Sequence, residues 1–448
     1  MFEWARNPYY ILIVIYIYMP YFSSTVVGDP VRGQALAGQL SGIAGVLIAL
    51  LAPVLGAIAD SGGRRKPWIV TWMIALAIGN WCLWFSLPNG AGLPMMVLCT
   101  IIVLNGVMAE FTQPFHNAML PSIAPHERIG RLSGLGLSLG NAGALVILVA
   151  MLCTLTLPGV VHWSFIPDHV MFGLDPKQYE TSRVAGPVVA VWLLLFAMPM
   201  LLFTPDRQPH SMPWHTAIAN GFRSLLGTIR SLKHYRNIAL YLLARMIYTD
   251  GKTAVLVFGG IYAVGNFSWD LLSTLIFGIV LTVFAVLGGF VGGWMDDKLG
   301  SKPAILISIG GTILGLIGEL SITPHTLFFV IPWNPDTAKH VWSLPFFSTV
   351  PEFLYVGVAT LVAVFITAAY ANSRTMLARL APPEKMTEFF GLYSMSGLAT
   401  TSLSSFSVAA FTSWFASQRA GYAAILIFLV IGFLLMLFVR EERASLAT

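Results

Sequence analysis

Residues 56–67 read Gly-Ala-Ile-Ala-Asp-Ser-Gly-Gly-Arg-Arg-Lys-Pro, a short basic turn between two long apolar runs. Residues 293–303 read Gly-Trp-Met-Asp-Asp-Lys-Leu-Gly-Ser-Lys-Pro and repeat the pattern of Gly, Asp, Gly, cations and Pro. Asp60 and Asp297 lie about half a chain length apart in a chain of 448 residues. One copy alone would indicate only a cation cluster that fixes membrane topology. Two copies at this spacing predict a duplicated molecule.

The composition is typical of a membrane protein. Hydrophobic residues make up 56% of the chain and charged residues 10%, and the mean hydropathy is +0.77, which is too apolar for a soluble globule. The net charge of +5 does not indicate nucleic-acid binding, because the cations gather in short loops between apolar runs. The three cysteines lie inside apolar runs, so neither a disulfide framework nor a metal site is expected.

Twelve apolar runs, each near the roughly 20 residues that cross a bilayer, predict twelve transmembrane helices. The first begins at Asn7-Pro8, with Asn as the N-cap, and continues to about residue 27. The others cover about 35–59, 67–87, 93–120, 131–157, 184–203, 238–263, 271–294, 303–321, 352–380, 388–414 and 420–439. We therefore predict an all-α protein with a six-helix bundle at 1–203, a cytoplasmic linker with an amphipathic helix at 204–236, and a second six-helix bundle at 237–448.

The distribution of cations predicts the orientation. With the N-terminus inside, seventeen of the 25 Lys and Arg residues, Arg6 among them, face the cytoplasm, five face outside and three lie within spans. Both termini are then cytoplasmic.

The duplicated turn has a physical interpretation. Gly56 allows close helix contact, Gly63 allows a tight turn, and Asp60 can accept hydrogen bonds from a neighbouring helix N-terminus. Gly293, Asp297 and Gly300 are the predicted equivalents in the second copy. The cations Arg64, Arg65 and Lys66 are expected to remain in water or lipid headgroups.

The turn at 56–67 resembles the loop between the second and third helices of major facilitator superfamily transporters, and 293–303 falls where their eighth-to-ninth loop would lie. Six further stretches resemble the vacuole-effluxer-like branch of that superfamily, a match over nearly the whole chain: 2–9, 117–121, 130–136, 248–251, 373–374 and 388–393. The resemblance implies two bundles that rock about a central cavity lined by the first, fourth, seventh and tenth helices, in a bacterial cytoplasmic membrane.

Polar stripes lie on three of those helices. Charged residues inside spans cost about 2.5 to 3.5 kcal/mol on insertion scales, so each is a functional candidate. The stripes are Glu110, Gln113 and Asn117 on the fourth span, Arg245, Tyr248, Thr249 and Lys252 on the seventh, and Thr360, Thr367, Tyr370 and Arg374 on the tenth. By the resemblance, all three face the cavity.

Two carboxylates are the predicted proton-coupling groups. Glu110 would exchange a proton in a partly dry cavity; the alternative is a permanent ion pair with Arg245 or Arg374. Asp250 lies about 200° from Lys252 on a continuous helix, so Gly251 would have to kink the helix to bring it into the cavity. The alternative for Asp250 is a structural hydrogen-bond acceptor. Glu319, near the outer end of the ninth span, is interpreted as an interfacial carboxylate.

The charges of the cavity helices predict an anionic group on the substrate. Cations exceed carboxylates by one: Arg245, Lys252 and Arg374 against Glu110 and Asp250. Arg374 is the predicted direct ligand, because a guanidinium pairs bidentately with such groups and Thr367 and Tyr370 can add hydrogen bonds. Lys252, Tyr248, Gln113 and Asn117 complete the predicted substrate site. Arg245 is expected to pair with Glu110 or to guide release.

We therefore predict a proton-coupled secondary transporter, working by alternating access, for an amino acid, peptide or organic acid. The expected partners are this solute, protons and the lipid bilayer. No cofactor, metal or nucleic acid is expected, and the protein is expected to be a monomer. An alternative from another class is a membrane-embedded enzyme or lipid-handling protein that uses Glu110 and His116 as acid and base. It lacks a nucleophile or oxyanion signature. A scaffold or receptor is a third possibility.

Overall fold

The computed structural model describes residues 2–60, 64–123, 129–160, 164, 166–206, 235–334, 341–381, 389, 392–393 and 401–441. Twelve helices follow one another: α1 (Phe2–Val26), α2 (Pro30–Asp60), α3 (Lys66–Cys82), α4 (Met95–Ile123), α5 (Ile129–Met151), α6 (Ala185–Phe203), α7 (Arg236–Phe267), α8 (Leu271–Leu299), α9 (Ser301–Ser321), α10 (Val350–Leu380), α11 (Thr401–Phe415) and α12 (Gln418–Phe438). A small antiparallel hairpin, β1 (Thr326–Leu327) and β2 (Ile331–Pro332), lies between α9 and α10.

Ten of these helices are long and apolar enough to cross a bilayer. The other two are α7, which carries Arg245, Asp250 and Lys252, and α11, which is described only from Thr401. The twelve predicted helices are confirmed. Most of the predicted linker, residues 207–234, and the predicted start of α11 lie outside the described residues.

The first helix begins earlier than predicted. It starts at Phe2, so Pro8 lies inside it, and the geometry changes from α to π at Tyr9. Proline has no N–H to donate, which explains why the α-helical hydrogen-bond pattern ends there. The extra turn is buried: Trp4 stacks on Trp192 of α6 at 5.8 Å between ring centroids. Arg6, predicted to face the cytoplasm, is consequently buried in the bundle.

Side-chain caps begin several helices on one side of the molecule. Asp29 accepts hydrogen bonds from the N–H groups of Val31 (2.8 Å) and Arg32 (3.1 Å) at the start of α2, beside Pro30. Asp270 caps α8 through the N–H of Ser273 at 2.8 Å. We call this the loop side, because residues 27–30, 152–160, 166–184, 322–334 and 341–349 lie there. The opposite end, with the duplicated turn, is the termini side.

The two halves, α1–α6 and α7–α12, touch on the loop side. Gly260 of α7 lies against the carbonyl oxygen of Ile15 in α1, so closely that a Cβ at this position would overlap that oxygen. Gln34 of α2 donates to the Thr412 hydroxyl (2.9 Å) and to the Gln418 carbonyl oxygen (2.8 Å). The described contacts between the halves therefore close the loop side.

Close packing in the second half uses a different glycine from the predicted one. A Cβ at Gly292 of α8 would lie 2.7 Å from the Cα of Ala368 in α10, whereas a Cβ at Gly293 would meet nothing within 4 Å. The prediction for Gly293 is thus wrong by one residue, because Gly292 is the one on the helix face turned toward α10.

We expect Gly292→Ala to lower the melting temperature of the purified protein in detergent, because the methyl group overpacks the α8–α10 contact at a cost of about 1–3 kcal/mol. Gly293→Ala is the matched control and should be neutral or slightly stabilising, since alanine favours a helix by about 1 kcal/mol over glycine. Equal melting temperatures for the two variants would contradict this packing.

Candidate functional site

The second basic turn is held by Asp296 rather than by the predicted Asp297. Asp296 is 7% exposed, accepts a hydrogen bond from the Ser301 hydroxyl and pairs with Arg379 of α10 at 2.9 Å. Asp297 is exposed. Because Asp296 follows Gly292 by four residues, it lies on the same helix face, turned toward α10. Gly300, the predicted equivalent of Gly63, has a φ of +92°, a backbone conformation that favours glycine.

A carboxylate after the last helix caps this turn. Glu441 accepts hydrogen bonds from the backbone N–H groups of Ser301 (3.0 Å) and Lys302 (2.9 Å) at the start of α9, and it pairs with Arg379 at 3.0 Å. Partial burial raises the pKa of Glu441, but the hydrogen bonds from Lys302, Arg379 and Ser301 together outweigh it. The pKa of the carboxyl is therefore below its usual value.

The first half repeats the arrangement. Asp206 accepts hydrogen bonds from the N–H groups of Arg65 (3.0 Å) and Lys66 (3.2 Å) at the start of α3. The Lys66 ammonium donates to the Leu201 carbonyl oxygen at 2.6 Å, as Lys302 does to Leu437 at 2.8 Å. The sequence contained a signal for these caps that we missed, because each carboxylate follows the last phenylalanine of its half by three residues, Phe203 and Phe438.

The predicted exposure of the first turn holds only in part. Arg64 is exposed, whereas Arg65 is buried and Lys66 is partly buried. Capping by Asp206 draws the chain at 65–66 onto the end of α6, which removes Arg65 from water. Gly63 and the side chain of Asp60 lie outside the described residues, so their roles stay predictions.

Glu110 belongs to a polar cluster at the start of α1. Its carboxylate accepts a hydrogen bond from the Tyr10 hydroxyl at 2.8 Å, and Tyr10 accepts one from Arg6 at 3.1 Å. Arg6 also pairs with Glu3 at 3.1 Å, and Glu3 lies 3.6 Å from His116 of α4. The sequence did not place Glu3 and Arg6 in the site, because the first helix was expected to begin after them. Tyr10 lies inside the predicted helix, but its contact with Glu110 had no signal in the local sequence.

Lys252 is the most deeply buried cation of the site. Its exposure is 0%, and its ammonium lies 3.8 Å from the ring centroid of Tyr370 and 5.1 Å from that of Tyr248. Among the described residues, no hydrogen-bond acceptor lies within reach of the ammonium. Another cation, Arg245, lies within electrostatic reach of it.

The other charged residues of α7 contact the second half. Arg245 donates to the Tyr393 carbonyl oxygen at 2.7 Å and stacks over that ring. Among the described residues, no ion pair joins Glu110 to Arg245 or Arg374, so the expected pair is not formed in this conformation. Asp250 accepts hydrogen bonds from the N–H (3.0 Å) and the hydroxyl of Ser404 in α11. These contacts match the alternative interpretation of Asp250, a structural acceptor.

The remaining predicted site residues differ in accessibility. Arg374 is exposed, and Tyr370 and Gln113 are partly buried. Tyr370 shares a hydrogen bond with Thr253 of α7 at 3.1 Å and lies within electrostatic reach of Glu110. Thr367 donates to the Ala363 carbonyl oxygen of its own helix, and Tyr248 bonds the Ser373 hydroxyl at 2.7 Å. The side chain of Asn117 is outside the described part of the chain.

This geometry joins polar groups of α1 and α4 in the first half, and polar groups of α7 and α10 in the second. Solved structures with the same fold include a point mutant of the nucleoside transporter NupG, at a TM-score of 0.65 and 12% identity over 97% of this chain and 96% of that one. A D-xylose–proton symporter also matches, at a TM-score of 0.65 and 14% identity over 98% and 95%. The fold is that of a major facilitator superfamily transporter.

Residues 24–447 match the family described as vacuole effluxer Atg22-like, and the chain belongs to that family. A similar protein is the uncharacterized MFS-type transporter YxiO of Bacillus subtilis (strain 168), 22% identical over 99% of this chain and 94% of that protein. The chain is therefore an integral membrane transporter and not an enzyme, as the sequence predicts.

Proposed function

We propose that this transporter couples protons to the movement of a small solute that carries at least one anionic group, such as an amino acid, a peptide or an organic acid. The termini side faces the cytoplasm of a bacterial cell in this proposal, in agreement with the cation distribution. The conformation closed on the loop side is then the inward-facing state of an alternating-access cycle.

The buried ammonium of Lys252 is the observation that carries the substrate class. Burying an ammonium group costs several kcal/mol even after relaxation. Cation–π contacts with Tyr370 and Tyr248 return about 0.5–2 kcal/mol each. The neighbouring charge, Arg245, is positive and adds to the cost. A carboxylate or phosphate of the solute would offset this imbalance.

Tyr370 and Arg374 supply a route from water to Lys252. Arg374 is exposed and lies one helical turn from Tyr370, on the same face of α10. The Tyr370 ring covers Lys252. In the proposed sequence of events, the anionic group first pairs with the Arg374 guanidinium and then displaces the Tyr370 ring to reach Lys252. In this proposal, Thr367 of α10 and Gln113 of α4 are further hydrogen-bonding groups for the solute.

Glu110 is the proposed proton carrier. It is partly buried, bonded to Tyr10 and close enough to Arg6 and Tyr370 to interact with both. Protonation of Glu110 would weaken its interactions with Tyr10 and Arg6. Because Glu110 also interacts with Tyr370, the environment of Tyr370 would change as well. The D-xylose–proton symporter with the same fold supports proton coupling as a mechanism compatible with this architecture.

A ligand-dependent thermal-shift screen tests the proposed function. Purified protein is screened against amino acids, dipeptides, organic acids and phosphate esters, each matched with an analogue that lacks the anionic group. Stabilisation by anionic members, followed by flux of a hit into proteoliposomes under a pH gradient, supports the proposal. Stabilisation by uncharged or cationic solutes alone would overturn the substrate class.

We expect Lys252→Met to weaken binding of the anionic hit about 10- to 100-fold, because a hydrogen bond to a charged group contributes about 1.5–3 kcal/mol. Arg374→Lys keeps the charge but loses the bidentate pairing, so affinity should also fall. Lys298→Met is the matched control, since Lys298 also lies over an aromatic ring (5.1 Å from Trp294) but is exposed. Binding that is unaffected in both site variants rules out this assignment.

We expect Glu110→Gln to uncouple transport from a pH gradient while leaving counterflow exchange of the solute intact. The amide keeps the hydrogen bond from Tyr10 but cannot exchange a proton at this position. Concentrative uptake and counterflow are measured in the same proteoliposomes. Concentrative uptake by the variant, driven by a pH gradient alone, shows that the proton moves elsewhere.

The duplicated turns are proposed to hold the halves together on the termini side in the outward-facing state. We expect Asp60→Asn, Arg64→Ala and Asp296→Asn to slow solute flux while the protein still inserts into the membrane. Asp297→Asn is the control and should transport normally, because Asp297 is exposed. Unchanged kinetics in the first three variants exclude a gating role.

A further inference from the structure

Glu319 is buried, contrary to its interpretation as an interfacial carboxylate. It is 3% exposed, near the loop-side end of α9, and accepts a hydrogen bond from the Tyr422 hydroxyl of α12 at 2.8 Å. It is buried because aromatic side chains from several helices converge on it. The sequence around Glu319 contains no sign of this convergence.

The groups around Glu319 are phenols. Tyr262 of α7 stacks on Tyr422 with ring centroids 4.7 Å apart, and Tyr355 of α10 lies 6.4 Å from Tyr262. Tyr16 of α1 is within electrostatic reach of the carboxylate, and its ring packs edge-on against Phe277 of α8. These residues leave Glu319 in a compact aromatic cluster, which we call the tyrosine cluster.

No cation pairs with Glu319 in the described part of the chain. The nearest candidate, Arg419 of α12, acts electrostatically on Tyr262 and stacks over Phe329 at 4.7 Å. The carboxylate therefore has one neutral hydrogen-bond donor as its partner. An ionised carboxylate buried in this way costs several kcal/mol, and the protonated form avoids most of that cost.

The tyrosine cluster lies where the two halves close. Tyr422 follows Gly421, whose position abuts Thr412 of its own half and Gln34 of the opposite half. Tyr16 brings α1 of the first half against Phe277 of the second. Separation of the halves on the loop side would take Tyr16 away from the cluster and open this face of it to water. Glu319 would then be dry in one state of the cycle and wet in the other.

We propose that Glu319 is a second proton-binding site, which takes up a proton from loop-side water as that side closes and releases it as that side opens. The proton binds a carboxylate oxygen, and no other bond changes. Because the closed state binds one proton more than the open state at this site, acid favours closure of the loop side. This site needs no solute, so it is independent of the substrate and of Glu110.

Spin-label distances in the solute-free protein test the proposal. Met96→Cys on α4 and Trp414→Cys on α11 place labels at the loop-side ends of the two halves, where the native side chains are 83% and 75% exposed. The native cysteines Cys82, Cys99 and Cys153 are first replaced by serine. Distances are measured by double electron–electron resonance in lipid nanodiscs across a pH series.

In the otherwise unaltered protein, we expect the short distance to dominate at acid pH and the long distance to gain population as pH rises. Glu319→Gln should keep the short distance at every pH, because the amide is neutral throughout. Glu180→Gln is the matched control: Glu180 is a loop-side carboxylate paired with Arg183 at 3.4 Å, so its loss should leave the transition unchanged.

Tyr422→Phe gives an independent result if Glu319→Gln folds poorly. The phenol stabilises the ionised carboxylate more than the protonated acid, so its removal should move the midpoint of the transition to higher pH. The proposal would be overturned if the distance populations of the parent protein did not change with pH. It would also be overturned if those of Glu319→Gln changed with pH as the parent's do. A midpoint that Tyr422→Phe leaves in place would do the same.

Discussion

Polar groups that cross a bilayer must find their partners within the protein, and most of this molecule follows from that constraint. Each buried charge meets it differently. Asp250 takes the N–H and hydroxyl of Ser404, and Glu110 takes the Tyr10 hydroxyl. Glu319 has one phenol, and Lys252 has aromatic rings alone among the described residues. The groups with complete sets of partners hold helices together. Groups with incomplete sets have an unmet interaction that a solute or a proton can supply.

The termini side is organised by two carboxylates that lie outside the duplicated turns. Asp206 and Glu441 connect the end of the sixth helix of each half to the start of its third. Each half is thereby tied by backbone hydrogen bonds near its membrane surface, independently of the other half. Arg379 adds Asp296 to the second of these ties. The halves can then move as bodies, because the ties lie within them.

The helices were predictable because apolar runs of bilayer length have few other folds available. The structural role of Asp250 could also be anticipated, since helical geometry alone turns Asp250 away from Lys252. The role of Asp296 was not predictable, because the repeat points to Asp297 and only the packing of Gly292 against Ala368 shows which helix face is turned inward. Burial of Glu319 and Arg6 depends on side chains brought from other helices. That information is absent from the local sequence.

The π-helical stretch from Tyr9 to Tyr16 sets the relative orientation of two tyrosines that serve different carboxylates. Tyr10 donates a hydrogen bond to Glu110 near the start of this stretch, and Tyr16, at its end, is within electrostatic reach of Glu319. A π turn holds one residue more than an α turn, so rewinding the stretch to α geometry would rotate Tyr16 against Tyr10 by about 100°. The backbone geometry of this one short stretch therefore fixes how Tyr16 is turned relative to Tyr10.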